Sequence, residues 1–126
     1  RSRQSAVSRE VDLLVAGAGM GGMVAALVGA LEGLRVLVCE KSSQVGGTSA
    51  TSAGTVWIPC STQSLRAGFS DTVEEVQTYL DGLMEGPEPR ALRSAYLSSG
   101  PAAIDYLEAK SEVRFAPAGR HQTPVG

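Results

Sequence analysis

The hydrophobic pattern at the start of the chain predicts a strand, a helix and a second strand. Residues 11–16 (VDLLVA) and 35–40 (RVLVCE) are short apolar runs, typical of strands buried on both faces. Between them, residues 20–32 carry apolar side chains at helical spacing, and Gly33 follows where a C-capping glycine belongs. This order predicts a parallel βαβ unit and therefore an α/β, Rossmann-like fold.

The rest of the chain predicts loops and helices. Residues 41–70 form a long Gly-, Ser- and Thr-rich loop region, with a short strand expected at residues 56–58. A helix is predicted over residues 71–84, with Asp71 and Glu74 as its capping box. One face of that helix is apolar: Val73, Val76, Leu80 and Leu83.

The last third of the chain predicts two more helices and a strand. The first helix covers residues 90–98, and the second begins at Pro101 and continues to residue 110, because Gly100-Pro101 is expected to separate them. A strand is expected at residues 113–115, followed by a loop.

Composition and charge argue against several classes of function. With 126 residues, 43% hydrophobic content and a net charge of −2, the chain suits one globular domain and lacks the basic surface of a general nucleic-acid binder. No apolar run is long enough for a transmembrane helix. Two cysteines without a CxxC spacing and the lone His121 predict no metal site, and we expect a reducing, cytoplasmic location.

A glycine-rich turn joins the first predicted strand to the helix and contains G-x-G-x-x-G at Gly17, Gly19 and Gly22. In this context the first glycine permits a tight turn, the second lets a pyrophosphate approach the backbone, and the third lets the helix pack on the strand. The helix N-terminus offers free N–H groups to phosphates. The predicted phosphate-binding residues are Gly17, Ala18, Gly19, Met20, Gly21 and Gly22.

An acidic residue, Glu40, ends the second predicted strand, 18 residues after Gly22. Its carboxylate is placed to accept hydrogen bonds from both hydroxyls of an adenosine ribose, and it disfavours NADP because it would repel a 2′-phosphate. The alternative is a solvated charge at the end of a strand, next to glycines that only make a turn.

The βαβ unit alone leaves FAD and NAD open, and the segment after Glu40 favours FAD. It is built from small and hydroxyl residues, which suit a backbone lying along an extended cofactor. Thr48 and Ser49 are candidate donors to phosphate oxygens. A flexible surface loop is the alternative for this segment.

The motifs VAGAGMGGMVAAL, GLRVLVCEKSSQVGGTSATSAGTVWIP and DTVEEVQTYLDGLM resemble the fumarate reductase/succinate dehydrogenase-type flavoproteins, most of all the 3-ketosteroid Δ1-dehydrogenase-like branch. The resemblance covers about residues 11–110. It implies that this loop runs along the FAD toward the flavin ring, and it adds these candidate cofactor residues: Gly47, Thr48, Ser49, Ala53 and Gly54. Lys41 is a further candidate, for contact with the adenosine part of FAD, and a solvated loop lysine is the alternative. In that family a second glycine is common at the position of Ala53.

Two departures from the family bear on chemistry. Succinate dehydrogenases attach their flavin to a His near this loop, whereas no His lies among residues 46–54 here. The resemblance therefore implies that FAD is bound non-covalently. Residues 118–123 contain no Tyr, where steroid dehydrogenases have an active-site tyrosine. The catalytic residues are therefore not assigned, and a steroid substrate is not predicted.

These patterns predict three parts: a flexible tail at residues 1–10, an FAD-binding βαβ unit with its flavin loop at 11–70, and a helical segment with a C-terminal loop at 71–126. The expected function is the FAD-binding part of a dehydrogenase or reductase that acts on a C–C bond next to a carbonyl, with hydride passing to or from flavin N5. A flavin oxidase and a non-catalytic nucleotide-binding or assembly subunit are the alternatives. Because two strands bury little area, we expect a larger polypeptide, separate or cleaved, to complete the domain and supply catalysis.

Overall fold

A computed structural model describes residues 9–83 and 90–117. These residues form two compact units, one up to Gly54 and one from Thr55 onward. His121 and residues 118–123 lie outside the described residues, as does Met84 at the end of the predicted helix 71–84. The division of the chain at residues 10 and 70 stays a prediction.

The first unit is the predicted βαβ arrangement. Strand β1 (Leu13–Ala16) pairs in parallel with strand β2 (Val36–Cys39), and Leu13 lies opposite Val36. Helix α1 (Met20–Leu31) connects the two strands, and its Gly29 is buried where a Cβ would approach the side chain of Leu13. The α/β fold class predicted from the hydrophobic pattern is confirmed.

The strands of the first unit are not buried on both faces, contrary to the expectation from their composition. Val15 is buried, whereas the Leu14 side chain, on the opposite face of β1, is 61% exposed. Within residues 9–83 and 90–117 the sheet has two strands, β1 and β2.

The region predicted as a long loop, residues 41–70, contains two short helical segments. A 3₁₀ turn covers Gly47–Thr51, and helix α2 covers Thr62–Arg66. Ser61 caps α2, because its hydroxyl accepts a hydrogen bond from the Ser64 N–H at 3.2 Å. The expected strand at residues 56–58 is absent from the structure. The backbone there bonds to a side chain instead, since the Trp57 carbonyl accepts a hydrogen bond from the Tyr96 hydroxyl.

Helix α3 (Val73–Leu83) begins with a capping box one residue later than predicted. Thr72 Oγ1 accepts a hydrogen bond from the Glu75 N–H at 3.2 Å, and the Glu75 carboxylate accepts one from the Thr72 N–H at 2.9 Å. Val76 and Leu80 of the predicted apolar face are buried, whereas Val73 and Leu83 are exposed.

Helix α4 (Arg90–Lys110) runs without a break through Gly100 and Pro101, so the predicted separation into two helices is wrong. Pro101 removes one backbone hydrogen bond, but the helix is held on both sides of it by buried side chains, namely Leu97, Ile104 and Leu107. The expected strand at residues 113–115 is also absent. In its place, the Phe115 N–H donates to the Glu108 carboxylate at 2.9 Å.

Candidate cofactor site

The glycine turn (residues 17–22) begins directly at the end of β1. Gly17 has a φ of +101°, in the left-handed region that favours glycine, and its N–H donates to the Cys39 carbonyl at 2.7 Å. The turn is thus anchored to the end of β2 at its first residue. The sequence-based role of Gly17 as the tight-turn residue agrees with this geometry.

The other glycines of the turn differ in what surrounds them. A Cβ on Gly22 would overlap the Gly17 carbonyl and lie 3.1 Å from the Val15 side chain, so Gly22 is where α1 approaches β1 closely. A Cβ on Gly19 or on Gly21 would meet no atom within 4 Å. Gly19 and Gly21 therefore present bare backbone to open space, as a pyrophosphate-binding turn requires.

The N-terminus of α1 opens from this turn and is not capped by a side chain of the described residues. The first α-helical hydrogen bond runs from the Met23 N–H to the Gly19 carbonyl at 2.9 Å, so the N–H groups of the preceding helical residues have no partner within the helix. The first turn of α1 carries no acidic side chain. This end of the helix is therefore suited to a phosphate.

Glu40 follows β2, and its carboxylate lies against the glycine turn. Glu40 Oε2 accepts a hydrogen bond from the Ala18 N–H at 2.8 Å, and Oε1 accepts one from the Ser42 N–H at 2.9 Å. These hydrogen bonds, that from Ala18 first, lower the pKa of Glu40 to about 2, so the carboxylate is charged at neutral pH. The Ser42 hydroxyl and the Lys41 N–H lower the pKa of Glu40 as well. Because a carboxylate has about four acceptor positions, the Ala18 and Ser42 N–H groups alone do not fill them.

The flavin loop (residues 46–54) starts beside the same turn. The Gly46 N–H donates to the Ala18 carbonyl at 2.7 Å, and Gly19 and Gly46 form an isolated parallel bridge. A Cβ on Gly47 would lie 3.3 Å from the Cα of Gly19. The structure therefore brings the predicted phosphate-binding turn and the start of the predicted flavin loop together.

Thr48 and Ser49 lie in the 3₁₀ turn that follows. Their carbonyl oxygens accept hydrogen bonds from the hydroxyls of Thr51 at 2.9 Å and Ser52 at 2.7 Å, which hold the turn closed. The hydroxyls of Thr48 and Ser49 themselves make no hydrogen bond to another residue in the described part of the chain. They stay available as donors to a phosphate.

Four further predicted cofactor residues are exposed: Met20, Lys41, Ala53 and Gly54. Lys41 is exposed, and its side chain makes no ion pair with any residue of 9–83 or 90–117. Ala53 and Gly54 are exposed at the end of the first unit, where the Gly54 N–H donates to the Ser52 hydroxyl at 3.1 Å. Met20 is at the first position of α1, with half of its side chain exposed.

Together these residues fit the adenosine diphosphate half of FAD. The bare backbone at Gly19, the uncapped start of α1 and the spare acceptor positions of Glu40 supply groups for pyrophosphate and ribose. Sequence reasoning missed one member of the site, Ser42, because it takes part through its backbone N–H, which every residue except proline carries.

The described residues offer little support for other kinds of site. No group of His, Cys, Asp and Glu among residues 9–83 and 90–117 is arranged to hold a metal ion, and Cys39 and Cys60 are both free thiols. No helix in this part of the chain combines the length and apolar character needed to cross a bilayer.

The chain matches an FAD-binding family model and is similar in sequence to two dehydrogenases. The family model for an FAD binding domain matches residues 12–126. The 4-oxocyclohex-2-ene-1-carboxylate 5-dehydrogenase of Sinomonas cyclohexanicum is 42% identical over 104 residues, which are 82% of this chain and 17% of that protein. The 3-oxosteroid 1-dehydrogenase of Mycobacterium tuberculosis is 44% identical over 100 residues, 79% of this chain and 18% of that protein.

A solved structure is also similar to this chain in fold and in sequence. The crystal structure of 3-ketosteroid delta1-dehydrogenase from Sterolibacterium denitrificans, in complex with 1,4-androstadiene-3,17-dione, matches with a TM-score of 0.70 and 41% identity. The match covers 79% of this chain and 17% of that one. The chain therefore spans less than a fifth of the length of these relatives.

Proposed function

Because this chain belongs to the FAD binding domain family, we propose that it forms the adenosine-binding part of a flavin-dependent dehydrogenase that acts on a carbon–carbon bond next to a carbonyl group. FAD is the cofactor predicted from the sequence, and the family match confirms it. The resemblance to the 3-ketosteroid Δ1-dehydrogenase-like flavoproteins is confirmed as well.

One arrangement carries the assignment of the cofactor residues: Glu40 and the glycine turn lie within hydrogen-bonding distance at the carboxyl ends of two parallel strands. We assign the pyrophosphate to the turn and the start of α1, and the ribose hydroxyls to Glu40. We assign the hydroxyls of Thr48 and Ser49, in the 3₁₀ turn, as donors to phosphate oxygens of the cofactor. As in other cofactor-dependent enzymes, the protein groups bind and orient the cofactor, and the cofactor carries out the redox chemistry.

FAD supplies the hydride acceptor when it is bound, and the residues of this chain are proposed to fix its adenosine end. The lack of a His among residues 46–54 supports non-covalent attachment.

The names of two relatives support a proposal for the substrate class. Two of them are named as dehydrogenases of a 4-oxocyclohexene carboxylate and of 3-oxosteroids. Both names describe cyclic ketones that lose hydrogen from ring carbons. We propose a cyclic ketone for this protein too, with a C=C bond formed next to its carbonyl.

The catalytic groups are proposed to lie on further polypeptide that completes the FAD domain. The exposed Leu14 on the open face of β1 supports this proposal, because a parallel sheet is ordinarily covered on both faces. The small share of the relatives' length that the chain spans supports it too. Whether the further polypeptide is continuous with this chain or separate is decided by the mass of the native protein.

Anaerobic titration of the complete protein with cyclic ketones tests the function. We expect the flavin absorption band to bleach when a saturated 3- or 4-oxo ring compound is added, and a ring-unsaturated product to form. A flavin spectrum that no such ketone changes, while dithionite still bleaches it, would contradict a dehydrogenase and favour a nucleotide-binding or assembly subunit. Re-oxidation by air with release of hydrogen peroxide during turnover would indicate an oxidase.

A further inference from the structure

We propose that Glu40 is also a positioning residue: it holds the glycine turn and the start of the flavin loop in their binding geometry before any cofactor is present. The proposal rests on the FAD site assigned above. It concerns hydrogen bonds that the carboxylate makes to the protein itself, as distinct from those it offers to a ribose.

Ala18 is the residue through which Glu40 acts. It is fully buried, and both of its backbone polar groups have partners. Its N–H donates to Glu40 Oε2 at 2.8 Å, and its carbonyl accepts a hydrogen bond from the Gly46 N–H at 2.7 Å. One peptide segment thus links the end of β2, the glycine turn and the first residue of the flavin loop.

The second carboxylate oxygen fixes the chain on the other side. Glu40 Oε1 accepts a hydrogen bond from the Ser42 N–H at 2.9 Å, which sets the direction in which the chain leaves β2 toward the flavin loop. A single side chain therefore joins Ala18 and Ser42, which are 24 positions apart in the sequence. Because both groups are hydrogen-bonded to a charged acceptor, the two bonds are of the strong type.

Holding the turn and binding a ribose do not compete for the same electron pairs. A carboxylate has about four acceptor positions. The two backbone N–H groups use one on each oxygen, so they alone do not fill these positions. A glutamine in this place would keep one acceptor oxygen but turn an amide NH2 toward a backbone N–H, so it would lose at least one of the two bonds.

The two roles of Glu40 differ in a testable consequence. If Glu40 only binds the ribose, its replacement affects only ligands that have ribose hydroxyls. If it also holds the glycine turn, its replacement weakens the binding of a pyrophosphate even when the ligand has no ribose hydroxyl. ADP and 2′,3′-dideoxy-ADP separate these cases, because both carry the pyrophosphate and only ADP carries the hydroxyls.

The experiment uses the complete protein after removal of FAD, as wild type, Glu40→Gln and Glu112→Gln. The last is a control that removes one exposed carboxylate from the second unit. Calorimetry measures the affinity for each nucleotide. We expect Glu40→Gln to weaken the binding of 2′,3′-dideoxy-ADP by about tenfold, the scale of one hydrogen bond to a charged group, and to weaken ADP further. Glu112→Gln should match the wild type with both.

Equal affinity of wild type and Glu40→Gln for 2′,3′-dideoxy-ADP, together with weaker ADP binding by the variant, would overturn the positioning role and leave the FAD site intact. A wild-type protein that binds neither ADP nor FAD would instead contradict the proposed function. Hydrogen exchange of the cofactor-free wild type gives a measurement that needs no variant. The Ala18 amide should be protected, and exchange as fast as in an open loop would refute the proposal.

Discussion

Gly22 lies so close to Gly17 that a Cβ added to Gly22 would overlap the Gly17 carbonyl oxygen. The same Cβ would lie 3.1 Å from the Val15 side chain, so neither the turn nor the strand leaves room for it. This contact fixes the distance between α1 and β1, and with it the position of the helix N-terminus at the end of the strand.

Gly22→Ala should therefore destabilise the protein. The new methyl group forces the helix away from the strand, and overpacking of this kind costs about 1–3 kcal/mol. Gly21→Ala is the matched control, because a Cβ there meets no atom within 4 Å and alanine favours a helix. The free energy of unfolding of the cofactor-free protein, from denaturant titration, checks both. Equal stability of the two variants would show that the close contact is not retained in solution.

Gly19→Val should lower the affinity for FAD while changing stability little. A Cβ at Gly19 would meet no protein atom within 4 Å, and the space it would enter is the one assigned to the pyrophosphate. We expect a loss of about 2 kcal/mol or more in FAD binding, comparable to the loss of hydrogen bonds to a charged group. Quenching of flavin fluorescence on binding measures it. Normal FAD loading of this variant would refute the assignment of the turn.

Part of the candidate cofactor site, the glycine turn, could be predicted from the sequence. The backbone path through Gly17, Gly19 and Gly22 could be predicted, because strand, turn and helix are local features and the glycine spacing determines that path. The partners of Glu40 were not predictable. Its bonds to Ala18 and Ser42 go to backbone N–H groups, which leave no trace in residue types.

The errors in the second unit have similarly local causes. The sequence from Asp71 to Glu75 offers two overlapping capping boxes, D-x-x-E and T-x-x-E, and side-chain geometry selects the second. Proline inside α4 predicts a break, but packing on both sides of Pro101 overrides that local preference. Whether a short apolar run becomes a strand depends on a neighbouring strand, which the run itself does not reveal.

Thr72→Ala should destabilise helix α3 by about 1 kcal/mol, because the Thr72 side chain accepts the Glu75 N–H at the helix start. Thr78→Ala is the control within the same helix. The Thr78 hydroxyl donates to the Glu74 carbonyl at 2.8 Å, an exposed bond that contributes little, so its loss should change stability by less than about 0.5 kcal/mol. Hydrogen exchange of the α3 amides measures both. A larger effect at Thr78 than at Thr72 would place the cap elsewhere.

The hydrogen bonds to Glu40 should depend on pH in a defined direction. Its pKa in the folded protein is lowered from 4.5 to about 2, so the stabilisation is complete above the unfolded value and is lost as the pH falls through the folded value. The chemical shift of the Ala18 amide, followed by NMR on acidification, reports the bond directly. We expect little change between pH 7 and about pH 4, and a midpoint below about pH 3. A midpoint near 4.5 would mean that the carboxylate is not held by these N–H groups.

The identity and attachment of the cofactor are the most direct test of the central claim, that the glycine turn, Glu40 and the flavin loop hold FAD without a covalent bond. The complete protein, purified with its bound cofactor, is precipitated with acid, and the supernatant and pellet are analysed by chromatography and mass spectrometry. We expect FAD in the supernatant, in an amount close to one per protein molecule, and a colourless pellet. A yellow pellet would contradict non-covalent attachment, and NAD(H) in place of FAD in the supernatant would contradict the assignment of the glycine turn, Glu40 and the flavin loop to FAD.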